Sequence, residues 1–115
     1  METEVKPSIA EALPSHFKFH YDLEQGWLEV PYSAVNMLNL KRQISTSSHQ
    51  RGTLVYLEEG LDAPIFIRAY LKKIGKPGDH HFFNDMCSHV YGGEISTIRS
   101  FPKYDNRNRQ IRFQV

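Results

Sequence analysis

Phe17-Lys18-Phe19-His20-Tyr21-Asp22-Leu23-Glu24-Gln25-Gly26-Trp27-Leu28-Glu29-Val30-Pro31 is the stretch that decides how this chain is built. Phe17, Phe19 and Tyr21 alternate with Lys18 and His20, the period of two expected of a strand with one buried face. Residues 22–26 read as a turn. Trp27-Leu28-Glu29-Val30 is the return strand, and Pro31, which has no N–H for a ladder, marks its end. The chain therefore opens on an antiparallel hairpin.

Working outward, Ser33 is positioned as the N-cap of a short helix over 34–40, with Val35, Leu38 and Met37 toward the core. Residues 44–48 (Ile-Ser-Thr-Ser-Ser) and 53–58 (Thr-Leu-Val-Tyr-Leu-Glu) read as two further strands. The loop between them, His49-Gln50-Arg51-Gly52, has a glycine that can take a positive φ cheaply. The clearest helix follows: Asp62 as N-cap, Pro64 in the first turn, and an apolar stripe of Ile67, Tyr70, Leu71 and Ile74. Lys72 and Lys73 oppose the negative end of its dipole, and Gly75 and Pro77 stop it. Residues 79–91 carry Phe82, Phe83, Met86, Cys87 and Val90 at helical spacing, with a long loop as the competing reading. Residues 94–101 and 109–115 read as a closing strand pair joined through Asp105-Asn106-Arg107-Asn108. Before the hairpin, residues 1–14 form a loosely ordered lead-in with a short helical stretch near Ala10–Leu13, and residues 15–115 form one domain. The expected fold class is α+β: a mainly antiparallel sheet of five to six strands, with two or three helices packed on one face.

Composition agrees with one folded domain. Of the 115 residues, 40% are hydrophobic, and seven Phe, six Tyr and one Trp supply the bulk of a modest core. There is no apolar run approaching the roughly 18 residues that span a bilayer. The start, Met1-Glu2-Thr3-Glu4, is acidic and polar, unlike a secretory signal. Cys87 is the single cysteine and has no internal disulfide partner. A reducing, cytoplasmic setting is the expectation. Charge is polarised: Arg99, Lys103, Arg107, Arg109 and Arg112 face only Asp105 in the last 17 residues, while the rest of the chain is net acidic. Such a basic end either meets an anionic partner or guards an exposed edge strand against aggregation.

Four pieces of the chain, Gly26-Trp27-Leu28-Glu29-Val30-Pro31, Ile44-Ser45-Thr46-Ser47-Ser48, Val55-Tyr56-Leu57-Glu58-Glu59 and Asp62-Ala63, together resemble a family of small proteins of phages, plasmids and related mobile elements. Its pattern is a GWL-x-V strand, a short helix, an IS-x-x-S strand, a YLEED-x-DA segment and a helix. Ile98-Arg99-Ser100-Phe101 is similar to its closing strand. The likeness covers residues 20–75 best, and it departs at Gly60, where the family tends to have an acid. It implies a mobile-element origin rather than a reaction.

Three constellations carry candidate chemistry. Glu58, Glu59 and Asp62 bunch at a strand end beside a helix start. They can hold a divalent cation or act as a base, or they can simply cap the helix. Glu58 and Glu59 point to opposite faces of any strand, so convergence would need a bend. His81, Asp85, Cys87 and His89, with His80 adjacent, place i, i+4 pairs on a helix and would suit Zn, yet match no standard structural zinc spacing. Cys87 with its neighbouring histidines, or Ser45, Ser47 and Ser48 with His49, offers nucleophiles without a nucleophile elbow or an assignable orienting group. Phosphate-cradle patterns are absent around Gly75 and Gly92.

The expected function is accordingly that of a non-enzymatic binding protein with no cofactor, a modulator or inhibitor of a host protein complex. Its contact surface would be Arg99, Lys103, Arg107, Arg109 and Arg112, and its assembly state a monomer or a homodimer paired through residues 111–115. Nucleic-acid binding by the same basic face, with Phe101, Tyr104 and Phe113 stacking on bases, is the second expectation. A metal-dependent hydrolase is the third.

Overall fold

Antiparallel pairing of β1 (Phe17–Tyr21) with β2 (Gly26–Pro31) reproduces the expected hairpin. The structure, a computed structural model, describes residues 12–105. After β2 come helix α1 (Tyr32–Met37), strands β3 (His49–Arg51) and β4 (Leu54–Glu58), helices α2 (Ala63–Lys73) and α3 (His80–Asp85), strand β5 (Cys87–Tyr91) and a 3-10 turn at Thr97–Ser100. The strand order is β3-β4-β2-β1-β5, with β5 parallel to β1 and the other neighbours antiparallel. The fold is thus α+β, with one mixed five-stranded sheet and three helices among the described residues. Among the described residues, no helix is long and apolar enough to cross a membrane.

Register divides the sheet into two unlike faces. Phe19, Leu28 and Leu57 lie side by side across three strands, and Val30 pairs with Val55. These side chains and Phe17 meet Ala34 and Val35 of α1, Phe66, Tyr70 and Leu71 of α2 and Phe83 of α3 in the main core. Phe17 stands edge-on to Phe66 and Tyr70 and stacks on Phe83 at 4.9 Å between centroids. Each such side chain taken fully out of water contributes about 1.5–3 kcal/mol. The other face presents Trp27, Tyr56, His20 and Glu29. It is covered by the strap of chain after β5, where Ile98 and Phe101 pack on Trp27 and Tyr56.

Helix ends show why the elements stop where they do. In α1, Asn39 adopts φ 58 while its N–H bonds to Asn36 O and that of Leu40 to Val35 O. In α2, Gly75 adopts φ 84, with Gly75 N–H on Lys72 O and Lys76 N–H on Leu71 O. Both are Schellman closures, the left-handed residue turning the chain so that orphan carbonyls are satisfied. Gly26 answers a different need: a Cβ there would run into the Phe19 ring and the Glu59 carboxylate.

Several local expectations are corrected. Residues 44–48 are turns rather than a strand, and the expected loop supplies β3, with Gly52 at φ 60 in the tight connection to β4. Ser33 is not the cap of α1, whose N-cap is Pro31. The helix expected over 79–91 ends at Asp85, where Met86 turns the chain into β5. Helical spacing of its apolar residues was misleading because Phe83 serves the core from a helix while Cys87 serves it from a strand. The expected strand over 94–101 holds the 3-10 turn instead. The end of the lead-in is anchored, with Leu13 buried and Tyr70 donating to Pro14 O at 2.6 Å. Residues 1–11 and 106–115, including the first half of the short helical stretch expected near Ala10–Leu13 and the whole strand expected over 109–115, lie outside the described residues.

Candidate functional site

The three carboxylates of the acidic corner go three ways. Asp62 is 1% exposed and does not cap α2 with its side chain. Instead it accepts from the Ser45 N–H, from Ser45 Oγ at 2.8 Å and from Ser48 Oγ. Ser48 Oγ in turn accepts from the Glu58 N–H at 2.9 Å. The Ile-Ser-x-x-Ser and Asp-Ala pieces of the sequence therefore form one buried lock, which ties the 44–48 turns to the start of α2 and the end of β4. Glu58 lies on the strap side, where its carboxylate accepts from Gln25 Nε2 at 2.9 Å. Glu59 is exposed on the helix side, beside a cavity of about 220 Å³ lined by Phe19, Ile67, Cys87 and His89.

The His/Cys set is split by the helix-to-strand switch. His80, His81 and Asp85 are exposed on α3, whereas Cys87 and His89 share the helix-side face of β5. Burial pushes the Cys87 thiol up, and Cys87 Sγ lies 3.5 Å from Phe83 O, to which it can donate. A raised thiol is a poor nucleophile at neutral pH. His89 packs on the Phe19 ring at 5.7 Å. Among the described residues no group of three or more His, Cys, Asp or Glu side chains is placed to hold a metal ion.

Of the basic residues, Arg99 is committed internally. Its guanidinium forks onto Asp22, Nε–Oδ2 at 2.7 Å and a second bond at 3.0 Å, with Glu24 at 3.7 Å. Asp22 also accepts from the N–H groups of Glu24, Gln25 and Ser96. Arg99 and these amides hold its carboxyl well below the usual carboxylate range, against the opposing effect of burial. Lys103 is exposed, and Arg107, Arg109 and Arg112 lie outside the described residues.

What sequence reasoning missed is a polar hollow where the strap crosses the sheet. Gln25, Trp27, Ser47, His49, Glu58, Arg99 and Lys103 line a cavity of about 280 Å³. Opposite Trp27 in the ladder sits Glu58, and His49 stands beside Tyr56 one strand further on. His49 Nδ1 lies 2.9 Å from Phe101 O, so it carries the proton and leaves Nε2 as the acceptor of the neutral ring. Arg99 sits 5.5 Å over the Trp27 ring. The indole Nε1–H is buried without a hydrogen-bond partner among the described residues, an arrangement that costs about 1–3 kcal/mol when left so. No local signal announced that residues 96–104 would cross that face and bring Arg99 and Lys103 to it.

No family model matches the chain, and searches of curated proteins and of solved structures found no match either.

Proposed function

We propose that this protein is a non-enzymatic binding module that works by contact with another protein, and that the contact is made at the β1–β5 corner of the sheet. One observation carries this reading: large apolar side chains are exposed on the edge strand β5, on its neighbour β1 and in the segments that follow these two strands. Leu23 is 66% exposed, Tyr91 52% and Ile95 74%, and Tyr21 is exposed beside Tyr91. Tyr21 and Tyr91 rings lie 5.3 Å apart, and the Ser96 N–H bonds to Asp22 in the β1–β2 turn. β5 pairs only with β1 among the described residues, which makes it a sheet edge of the kind that receives a partner strand. Clustered exposed apolar and aromatic side chains are the usual content of the buried centre of an interface.

The resemblance to mobile-element proteins favours a host protein complex as the partner, and inhibition or modulation of it as the outcome. Capture from a host lysate followed by titration of the purified partner tests the reading. Tyr91→Lys and Ile95→Lys are expected to weaken binding at least about a hundredfold, as loss of a central aromatic or aliphatic anchor does. Unchanged affinity in both variants overturns the assignment of this corner. Binding that depends instead on Lys103 and falls steeply with salt on generic DNA would favour the nucleic-acid reading.

A further inference from the structure

The cavity on the helix side is apolar within and carries one carboxylate. Phe19, Leu28, Ala63, Ile67 and Phe83 supply its walls, and Cys87 and His89 border it from β5. Burial pushes the Cys87 thiol up, so it stays protonated at neutral pH and adds no charge. Glu59 brings the carboxylate, which makes no hydrogen bond or ion pair among the described residues. Its place is set by the backbone beneath it. The Glu59 N–H bonds to Gly26 O at 3.0 Å, and Gly26 leaves open a space that two side chains fill. A Cβ there would lie 2.7 Å from Glu59 Oε1 and 2.4 Å from Phe19 Cζ, so the carboxylate stands at the edge of the Phe19 ring. His89 packs on the same ring at 5.7 Å. An apolar hollow with a single unmet carboxylate beside it is complementary to a molecule that is apolar with one cationic end.

We infer that this cavity binds a small apolar primary amine, its ring or short alkyl body among Phe19, Leu28, Ile67 and Phe83 and its ammonium on the Glu59 carboxylate. A carboxylic acid of the same size would meet Glu59 with like charge, and an alcohol would leave that charge unmet. At about 220 Å³ the cavity exceeds the roughly 150 Å³ that holds a benzene ring, which leaves room for a ring and an aminomethyl group. None of the side chains assigned to the protein contact lines this cavity, so the inference stands apart from that reading.

Cys87 is the sole cysteine and lines the cavity, so its rate of reaction with a small methanethiosulfonate reports occupancy there. The full chain is titrated with benzylamine, cyclohexylamine and butylamine, and in parallel with benzyl alcohol and benzoate at equal concentration. A thermal-shift series on the same samples gives a second readout. The expected result is saturable protection of Cys87 and a rise in Tm with at least one amine, and affinity at least about tenfold weaker for either control. Glu59→Gln, with folding confirmed by near-UV circular dichroism, is expected to raise Kd for the amine at least about tenfold. Glu59→Lys should transfer the response from the amine to benzoate. Overturning results are no saturable response to any amine, a response to benzyl alcohol or benzoate equal to that of the amine, or an amine affinity unaltered in Glu59→Gln.

Discussion

The two faces of this sheet are covered in different ways, and the difference separates what holds the protein together from what can open locally. On the helix side, α1, α2 and α3 place Phe66, Tyr70, Leu71, Val35 and Phe83 against four strands, all at most 3% exposed. On the strap side, an irregular segment rests on a cluster of Trp27, Tyr56 and Ile98. Point contacts fasten it: Arg99 on Asp22, His49 on Phe101 O, Gln50 N–H on Pro102 O and Tyr104 N–H on Ser48 O. Tyr104 then turns back into the main core, where its hydroxyl donates to Lys41 O at 2.6 Å. Area burial is spread over many contacts and resists local opening, whereas a segment held at points can open without global unfolding. The polar hollow lies on the second face, and the exposed apolar corner lies at an edge, away from the densest packing. The proposed amine cavity lies on the helix side, where β5 ends the sheet.

The largest expected effect tests the helix side. Phe66→Ala leaves a cavity in the centre of the core and is expected to cost about 3–5 kcal/mol, read as a cooperative fall in the urea midpoint. Next, Asp62→Ala strips the acceptor from two serine hydroxyls and one backbone N–H, and a loss of about 3 kcal/mol is expected. Asp62→Asn should recover part of this, since its amide oxygen still accepts, and full wild-type stability in the alanine variant would show that the lock is dispensable. Ile98→Ala sharpens the contrast: a loss of about 2 kcal/mol, at the low end for such truncations, should appear mainly as faster hydrogen exchange in residues 96–104. If exchange instead rose uniformly through α2, the strap and core would be one cooperative unit and the comparison would collapse.

A pH experiment probes the strap through its ion pair. Because Arg99 holds the Asp22 carboxyl low, the unfolded or released chain takes up a proton first as pH falls. The stabilisation is therefore complete above the ordinary Asp value of about 3.9 and is lost as pH drops below it. Acrylamide quenching of Trp27 is expected to rise below about pH 4 before global unfolding, and Asp22→Asn should show that quenching already at neutral pH. The smallest effect concerns the exposed corner. Ile95→Ser should change stability by less than about 0.5 kcal/mol, as substitutions away from packed features do, so any loss of partner binding in it is a loss of contact.

Legibility followed range along the chain. The opening hairpin, β4 and α2 were readable because period-two alternation and a 3.6-residue stripe are written within a few neighbouring residues. The lysines and glycine at the end of α2 were read correctly for the same reason: dipole and Schellman closure are local. The 79–91 segment misled because its apolar spacing fits a helix, while the chain changes from helix to strand at Met86. The Ser-rich run looked like a strand by residue type, but its hydroxyls serve a carboxylate 14 to 17 residues away. Every candidate constellation was assembled from sequence neighbours, whereas the hollow, which none of them anticipated, draws on residues from 25 to 103.

By itself the sequence determined one α+β domain, the hairpin, the long amphipathic helix and the core-facing side of the first strand, since these follow from periodicity and from the conformational limits of glycine and proline. Only the tertiary structure decided that the carboxylate of the N-cap residue Asp62 is a buried lock and makes no capping bond, that Arg99 pairs with Asp22, and that Trp27 borders a polar hollow with its indole N–H buried and unpartnered among the described residues. Those outcomes depend on pairs such as Arg99 and Asp22, 77 residues apart, whose meeting is set by how the strap crosses the finished sheet and leaves no periodic trace in the chain.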